Sequence, residues 1–134
     1  MVCTGNTCRS PLAQVIAQRL HPDWEVRSAG VAADSGSPAA AHSRQLAQQM
    51  GLSLEDHRAQ AVTPELVAWA DQILCMTASH LRQLKQAFPE AGEKARTLGD
   101  EIPDPYGQSL AAYQRCAEQL ESALLAESPS QADL

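Results

Sequence analysis

Cys3, Arg9 and Ser10 stand in one short stretch, Val2-Cys3-Thr4-Gly5-Asn6-Thr7-Cys8-Arg9-Ser10-Pro11, with five residues between the cysteine and the arginine. These residue types at this spacing suit nucleophilic attack on a phosphoryl group. Gly5 and Asn6 tolerate positive φ, which predicts a loop that curls back and turns successive backbone N–H groups toward one point, an anion nest. Pro11 suits the first helical turn, and Leu12, Val15, Ile16, Arg19 and Leu20 follow at helical spacing, which seats the nest on a helix N-terminus. Helix-end amides and a neighbouring guanidinium favour thiolate over thiol; cysteines in comparable settings have pKa values brought from about 8.5 to roughly 3.5–7.5. Cys3 therefore reads as a nucleophile. Arg9 presents a planar fork that matches two phosphate oxygens and keeps its charge throughout. The Ser10 hydroxyl is placed to donate to the sulfur anion, both as attacker and as leaving group. A buried structural cysteine before an ordinary turn is the competing reading, and it leaves the agreement of loop, arginine, serine and helix start without a reason.

Displacement at phosphorus also needs a proton for the departing alkoxide, phenoxide or amine. Asp104, between Pro103 and Pro105, is the best candidate acid, because no other carboxylate lies in a comparably constrained loop. Tyr106 beside it would form one wall of the cleft.

The elements that must position these groups alternate in type. Met1 to Cys3 supplies a first strand, and the helix after Pro11 ends at the turn His21-Pro22-Asp23. Trp24 to Ala29 reads as the second strand. A small-residue loop follows to an apparent cap at Ser37 and Pro38, and a helix runs from there to Met50, closed by Gly51. Leu52 to Ala61 is irregular and polar and carries His57. Thr63 and Pro64 cap and open a short helix through Trp69. The apolar run Asp71 to Met76 suits a buried parallel strand, with Cys75 in the core. Ser79 opens a helix with Leu81, Leu84 and Phe88 on one side, ended by Pro89, and Lys94 to Leu98 suits a strand at a sheet edge. Gly99 to Gly107 is loop, and a long helix spans Gln108 to Glu127 with Leu110, Tyr113, Ala117, Leu120 and Leu124 as its apolar stripe. The order implies an α/β fold of three layers, a four-stranded parallel sheet with helices on both faces and right-handed crossovers, and the loop at a strand's C-terminal end. Residues 1–127 are expected to form a single domain and residues 128–134 a disordered tail. His21, His42 and His80 read as surface residues.

Composition narrows the class. At 134 residues the chain is long enough for one domain with a real core, and its formal net charge of −6 argues against a general nucleic-acid binder. No apolar run approaches the roughly 20 residues needed to span a bilayer, and no signal peptide is visible, so a cytoplasmic protein without membrane association is expected. The four cysteines, Cys3, Cys8, Cys75 and Cys116, lack metal-ligand spacing. Reduced thiols, no metal and no cofactor are therefore expected. Oligomeric state is not legible.

Cys3 to Pro11, Ser28-Ala29-Gly30, His57-Arg58, Cys75-Met76 and Asp104-Pro105-Tyr106 together resemble the low-molecular-weight protein tyrosine phosphatases and their protein-arginine-phosphatase relatives, across nearly the whole chain. The resemblance implies the phosphotyrosine phosphatase I-like fold and a phosphorylated protein as substrate. It implies that Cys3 forms a phosphocysteine, that Arg9 binds phosphate with Thr4, Gly5, Asn6, Thr7, Cys8 and Ser10, and that Asp104 is acid and then base. Ser28 and His57 would support the loop by hydrogen bonds shared with Asn6 and Ser10. The family also uses a pair like Cys3–Cys8 as a reversible disulfide. In the family the first strand begins several residues earlier, so here it is expected to be clipped, with more residues upstream in the natural chain or a marginally stable fragment. At about 3.3 Å per residue the gap beside its neighbours would be roughly 15 Å.

Substrate choice turns on smaller details. Family members acting on phosphotyrosine usually have Ile or Leu where Thr7 stands, and often two aromatics after the Asp-Pro pair. Thr7, with Tyr106-Gly107, looks like the arginine phosphatases, and Thr77 replaces an acidic residue common in the tyrosine enzymes. Phosphoarginine is thereby favoured slightly, with phosphotyrosine as the alternative; Thr7 as a neutral variation would remove the distinction. An arsenate reductase would need further cysteines between Met76 and Leu84, and none is present. A phosphocarrier has no use for Arg9 together with Asp104. A non-catalytic phosphate-binding fragment is the remaining alternative.

Overall fold

The computed structural model describes residues 1–127. The tail expected over 128–134 lies outside the described residues. Four short strands, β1 (Val2–Cys3), β2 (Ala29–Gly30), β3 (Ile73–Cys75) and β4 (Ala95–Thr97), pair in parallel in the order β2-β1-β3-β4. The helices are α1 (Arg9–Leu20), α2 (Ala41–Gln49), α3 (Pro64–Trp69), α4 (Ala78–Ala87) and α5 (Leu110–Leu125).

Side chains alternate across the strands, and that alternation builds two cores. Cys3 and Leu74 point to one face, into a cluster with Leu12, Ile16, Leu120 and Leu124 of α1 and α5 and Leu46 of α2. Val2, Ile73, Cys75 and Ala95 point to the other, against Val67 of α3 and Leu84 of α4. Each fully buried leucine or isoleucine contributes about 1.5–3 kcal/mol relative to exposure, so the α1–α5 seam ties the loop before α1 to the most strongly packed part of the molecule. This is the expected three-layer fold. Among the described residues no helix is long and apolar enough to cross a membrane.

Several boundaries move, each because a tertiary bond outweighs local preference. Trp24 to Arg27 is not strand: the β1–β2 ladder holds only Ala29 and Gly30, while Trp24 stacks on His21 at 3.9 Å and Arg27 lies over the Trp69 ring at 4.2 Å. Beside the start of β1, Met1, Trp24, Val26, Leu66, Trp69 and Ile73 line a groove. α2 begins at Ala41 rather than near Pro38, because Pro38 pairs with Arg58 in an isolated antiparallel bridge and the Ala40 N–H donates to the Thr7 carbonyl at 2.9 Å. Thr77, not Ser79, caps α4. Its hydroxyl accepts the His80 N–H, and the Glu101 carboxylate accepts the Ala78 N–H at 3.0 Å. After α4 the chain makes a 3-10 turn over Pro89–Lys94, where the sequence predicts only a helix stop at Pro89.

Candidate active site

In a parallel sheet every strand ends at the same rim, and β1 delivers Cys3 there directly into the loop of residues 4–8 and the start of α1. Five carbonyls of this segment accept hydrogen bonds from the surrounding elements. Cys3 O accepts from Val31 N, Thr4 O from Ala32 N, Thr7 O from Ala40 N, Asn6 O from His57 Nε2 at 2.7 Å and Cys8 O from the Ser43 hydroxyl. The N–H groups of Thr4, Gly5, Asn6, Thr7 and Cys8 donate to no protein acceptor among the described residues. Unspent donors over a helix start are what an anion requires. The turn that produces them belongs to Asn6, at φ 57°; Gly5, expected to share it, does not take a positive φ.

Asn6 can hold that left-handed conformation because its buried amide is bonded three times. Nδ2 donates to Ser10 Oγ at 2.8 Å and to Ser28 Oγ at 2.9 Å, and Oδ1 accepts the Gln60 N–H at 2.9 Å. Both serine oxygens accept from Asn6 and each keeps its one hydrogen for another partner. Ser28 donates to Gln14 Oε1, 2.7 Å away, and Ser10 Oγ lies 2.9 Å from Cys3 Sγ, where its hydrogen can serve the sulfur once that is a thiolate. His57 and Ser28 both bond to Asn6, and Gln14 and Gln60, which the sequence did not single out, join the same network.

Arg9 is buried beside Cys3's loop, and its fork is oriented from three sides. Nη1 donates to the Ile102 carbonyl at 3.0 Å, Nη2 faces His80 Nε2 at 3.4 Å, and Asp104 Oδ2 lies 3.7 Å from Nη2. Its Nε, also buried, has no protein partner among the described residues. A buried, unspent donor on a guanidinium is costly unless an anion takes it. Asp104 is fixed by its own turn: Oδ1 accepts the Tyr106 N–H at 3.0 Å, and its carbonyl accepts from Gln108 Nε2 at 2.9 Å. Tyr106 is 72% exposed at the rim.

His80 departs from the surface position its sequence suggests. It is 4% exposed, and it sits against Thr4 and Arg9. Burial, then the Arg9 guanidinium, lower its pKa to about 4, with Asp104 and Glu101 opposing. A signal was available: in a parallel sheet the helix after the strand next to β1 starts at the same rim, and His80 lies in the first turn after Thr77. His21 and His42 are half-buried as well, His21 bonded to the Leu124 carbonyl and His42 edge-on to Tyr113. Cys75 and Cys116 are core thiols whose pKa burial pushes up to about 11 and about 12. All four cysteines are free thiols, and Cys8 Sγ lies 3.4 Å from the Tyr113 hydroxyl, its pKa raised chiefly by burial.

Gly30 closes the back of the loop. A Cβ there would stand 2.4 Å from the Thr4 carbonyl oxygen and 3.0 Å from the Asn6 nitrogen, both backbone atoms. Gly30→Ala is expected to displace the loop, costing about 2 kcal/mol or more in urea unfolding and weakening competitive inhibition by inorganic phosphate; unchanged values for both would show the loop to be more yielding than this packing implies.

The family model for low molecular weight phosphotyrosine protein phosphatase matches residues 1–127. A protein-arginine-phosphatase of Geobacillus stearothermophilus is 38% identical over 130 residues, covering 90% of this chain and 86% of that one. The low molecular weight protein-tyrosine-phosphatase Etp of Escherichia coli is 37% identical over 128 residues, covering 92% and 86%. The solved structure of Vibrio vulnificus Wzb in complex with benzylphosphonate is 36% identical with a TM-score of 0.90, over 93% of this chain and 92% of that one.

Proposed function

The chain belongs to the low molecular weight protein tyrosine phosphatase family of cysteine-dependent protein phosphatases, and we propose that its substrate is phosphoarginine in proteins, cleaved with Cys3, Arg9 and Asp104 as the reacting set. The observation that carries the reaction is the Cys3 sulfur, 2.9 Å from the Ser10 hydroxyl, at a loop of unspent amides beside the unspent Nε of Arg9. In the first step the Cys3 thiolate attacks phosphorus; the S–P bond forms as the P–N bond of phosphoarginine, or the P–O bond of an ester, breaks. Asp104 passes its proton to the leaving nitrogen or oxygen. The amides of residues 4–8 and Arg9 hold the equatorial oxygens. In the second step Asp104, now a carboxylate, takes a proton from water, which attacks phosphorus; the S–P bond breaks and Ser10 donates to the returning thiolate.

Thr7 carries the choice of substrate. Half-buried on the loop, with its hydroxyl 3.8 Å from Cys8 Sγ, it offers a small polar surface that orients water and gives a phenyl ring little to pack against. The protein-arginine-phosphatase name of the Geobacillus relative supports the same reading. Tyr106, exposed beside Asp104, favours phosphotyrosine as the second reading, because an aryl ring stacks on it. Thr7→Ile is expected to lower the ratio of phosphoarginine to phosphotyrosine activity by about tenfold, the discrimination that a methylene-sized change in a binding pocket supplies. The two kcat/KM values on matched peptides measure it, and an unchanged ratio would remove Thr7 from the argument.

A further inference from the structure

His80 takes no part in the steps above, yet its ring is held at both nitrogens. Nδ1 lies 3.0 Å from Thr77 Oγ1; Nε2 lies 2.8 Å from Thr4 Oγ1 and 3.4 Å from Arg9 Nη2. A guanidinium only donates, so Nε2 must present its lone pair and the ring proton must sit on Nδ1. Nδ1–H then donates to Thr77 Oγ1, and the Thr4 hydroxyl donates to Nε2. The ring is neutral in this arrangement. The charged groups around it are Arg9 from α1 and Glu101 and Asp104 from the loop after β4, and its low pKa keeps it uncharged through the neutral range.

A neutral acceptor is a particular choice for this place. A second carboxylate beside Asp104, which already lies 3.7 Å from Nη2, would compete further with a phosphate for the guanidinium, and a cation would repel it. An imidazole, like the Ile102 carbonyl on the other Nη, fixes the fork without adding another charge. We infer that His80 is a positioning residue that orients Arg9 and anchors Thr4 at the loop's edge, coupling α4 to phosphate binding. The inference rests on the phosphatase reading for its consequence in turnover, and on phosphate binding by itself for its test.

Three variants separate orientation from packing. His80→Phe keeps the ring and removes the acceptor. His80→Asn keeps a partner for Thr77 but stops short of Arg9, and serves if His80→Phe fails to fold. His80→Gln places an amide oxygen near the position of Nε2. Inorganic phosphate is the probe, by calorimetry and as a competitive inhibitor, with thermal unfolding recorded for each variant. Expected is a phosphate dissociation constant raised roughly tenfold by His80→Phe and His80→Asn, with kcat/KM falling in parallel, and restored to within about threefold by His80→Gln. Wild-type affinity in the first two, or an equal loss in His80→Gln, overturns the inference. Wild-type protein inactive on both phosphoarginine and phosphotyrosine peptides overturns the functional reading instead, and the phosphate titrations still decide the role of His80.

Discussion

Cys3→Ser is expected to lower kcat/KM by roughly 10⁴-fold or more, the scale seen when a covalent catalyst loses its nucleophile, while leaving the phosphate site formed. The reason lies in the acid–base groups around the loop. A serine hydroxyl at neutral pH attacks only if a base removes its proton, and Asp104 is committed in that step as the proton donor to the leaving group. Ser10 Oγ already accepts from Asn6. His57 is committed to the Asn6 carbonyl, and His80 to Thr4 and Thr77. A thiolate attacks without such a base. Turnover of an aryl phosphate by the variant, together with its inhibition by inorganic phosphate in the range of wild type, measures both halves. Residual activity above about one part in a hundred would mean that another group attacks phosphorus.

Asp104→Ala is expected to cost about 10²–10⁴-fold, the usual contribution of a positioned proton donor, and to do so unevenly. The loss should be largest for phosphoarginine and phosphotyrosine, whose leaving groups are basic, and smallest for p-nitrophenyl phosphate, whose leaving group departs as the anion. The second step also loses its base, so a phosphocysteine on Cys3 should accumulate and be visible by intact mass after a rapid acid quench. Asp104 is suited to both steps because its carboxylate is half-exposed yet oriented, one oxygen accepting the Tyr106 N–H and the other 3.7 Å from Arg9. Equal losses across the three substrates would assign Asp104 to loop structure, with the proton coming from elsewhere.

The legible part of this site was the part made by neighbours in sequence. Cys3, Arg9 and Ser10 lie within one turn and one helix start, so residue type and spacing were enough to place them around one point. Asp104 was legible because two flanking prolines restrict its loop. Strand positions were legible from apolar runs, and the alternation of Ile73, Leu74 and Cys75 between two cores follows from the period of a strand. Boundaries were less so: the Pro38–Arg58 bridge and the bond from Ala40 to Thr7 delay α2 through partners that a local window does not contain.

Residue types and their local order thus determined the chemistry: a thiol, a guanidinium, a hydroxyl and a carboxyl group suited to moving a phosphoryl group. Only the tertiary structure decided which partners each polar group meets and what holds the guanidinium. Those facts depend on the strand order β2-β1-β3-β4, which brings α4 beside the loop and places His80 against Thr4 and Arg9 across more than seventy residues of chain. A histidine with an apolar neighbour and a helix cap looks the same on a surface as in a site; its partners, set by the packing of distant segments, are what distinguish the two.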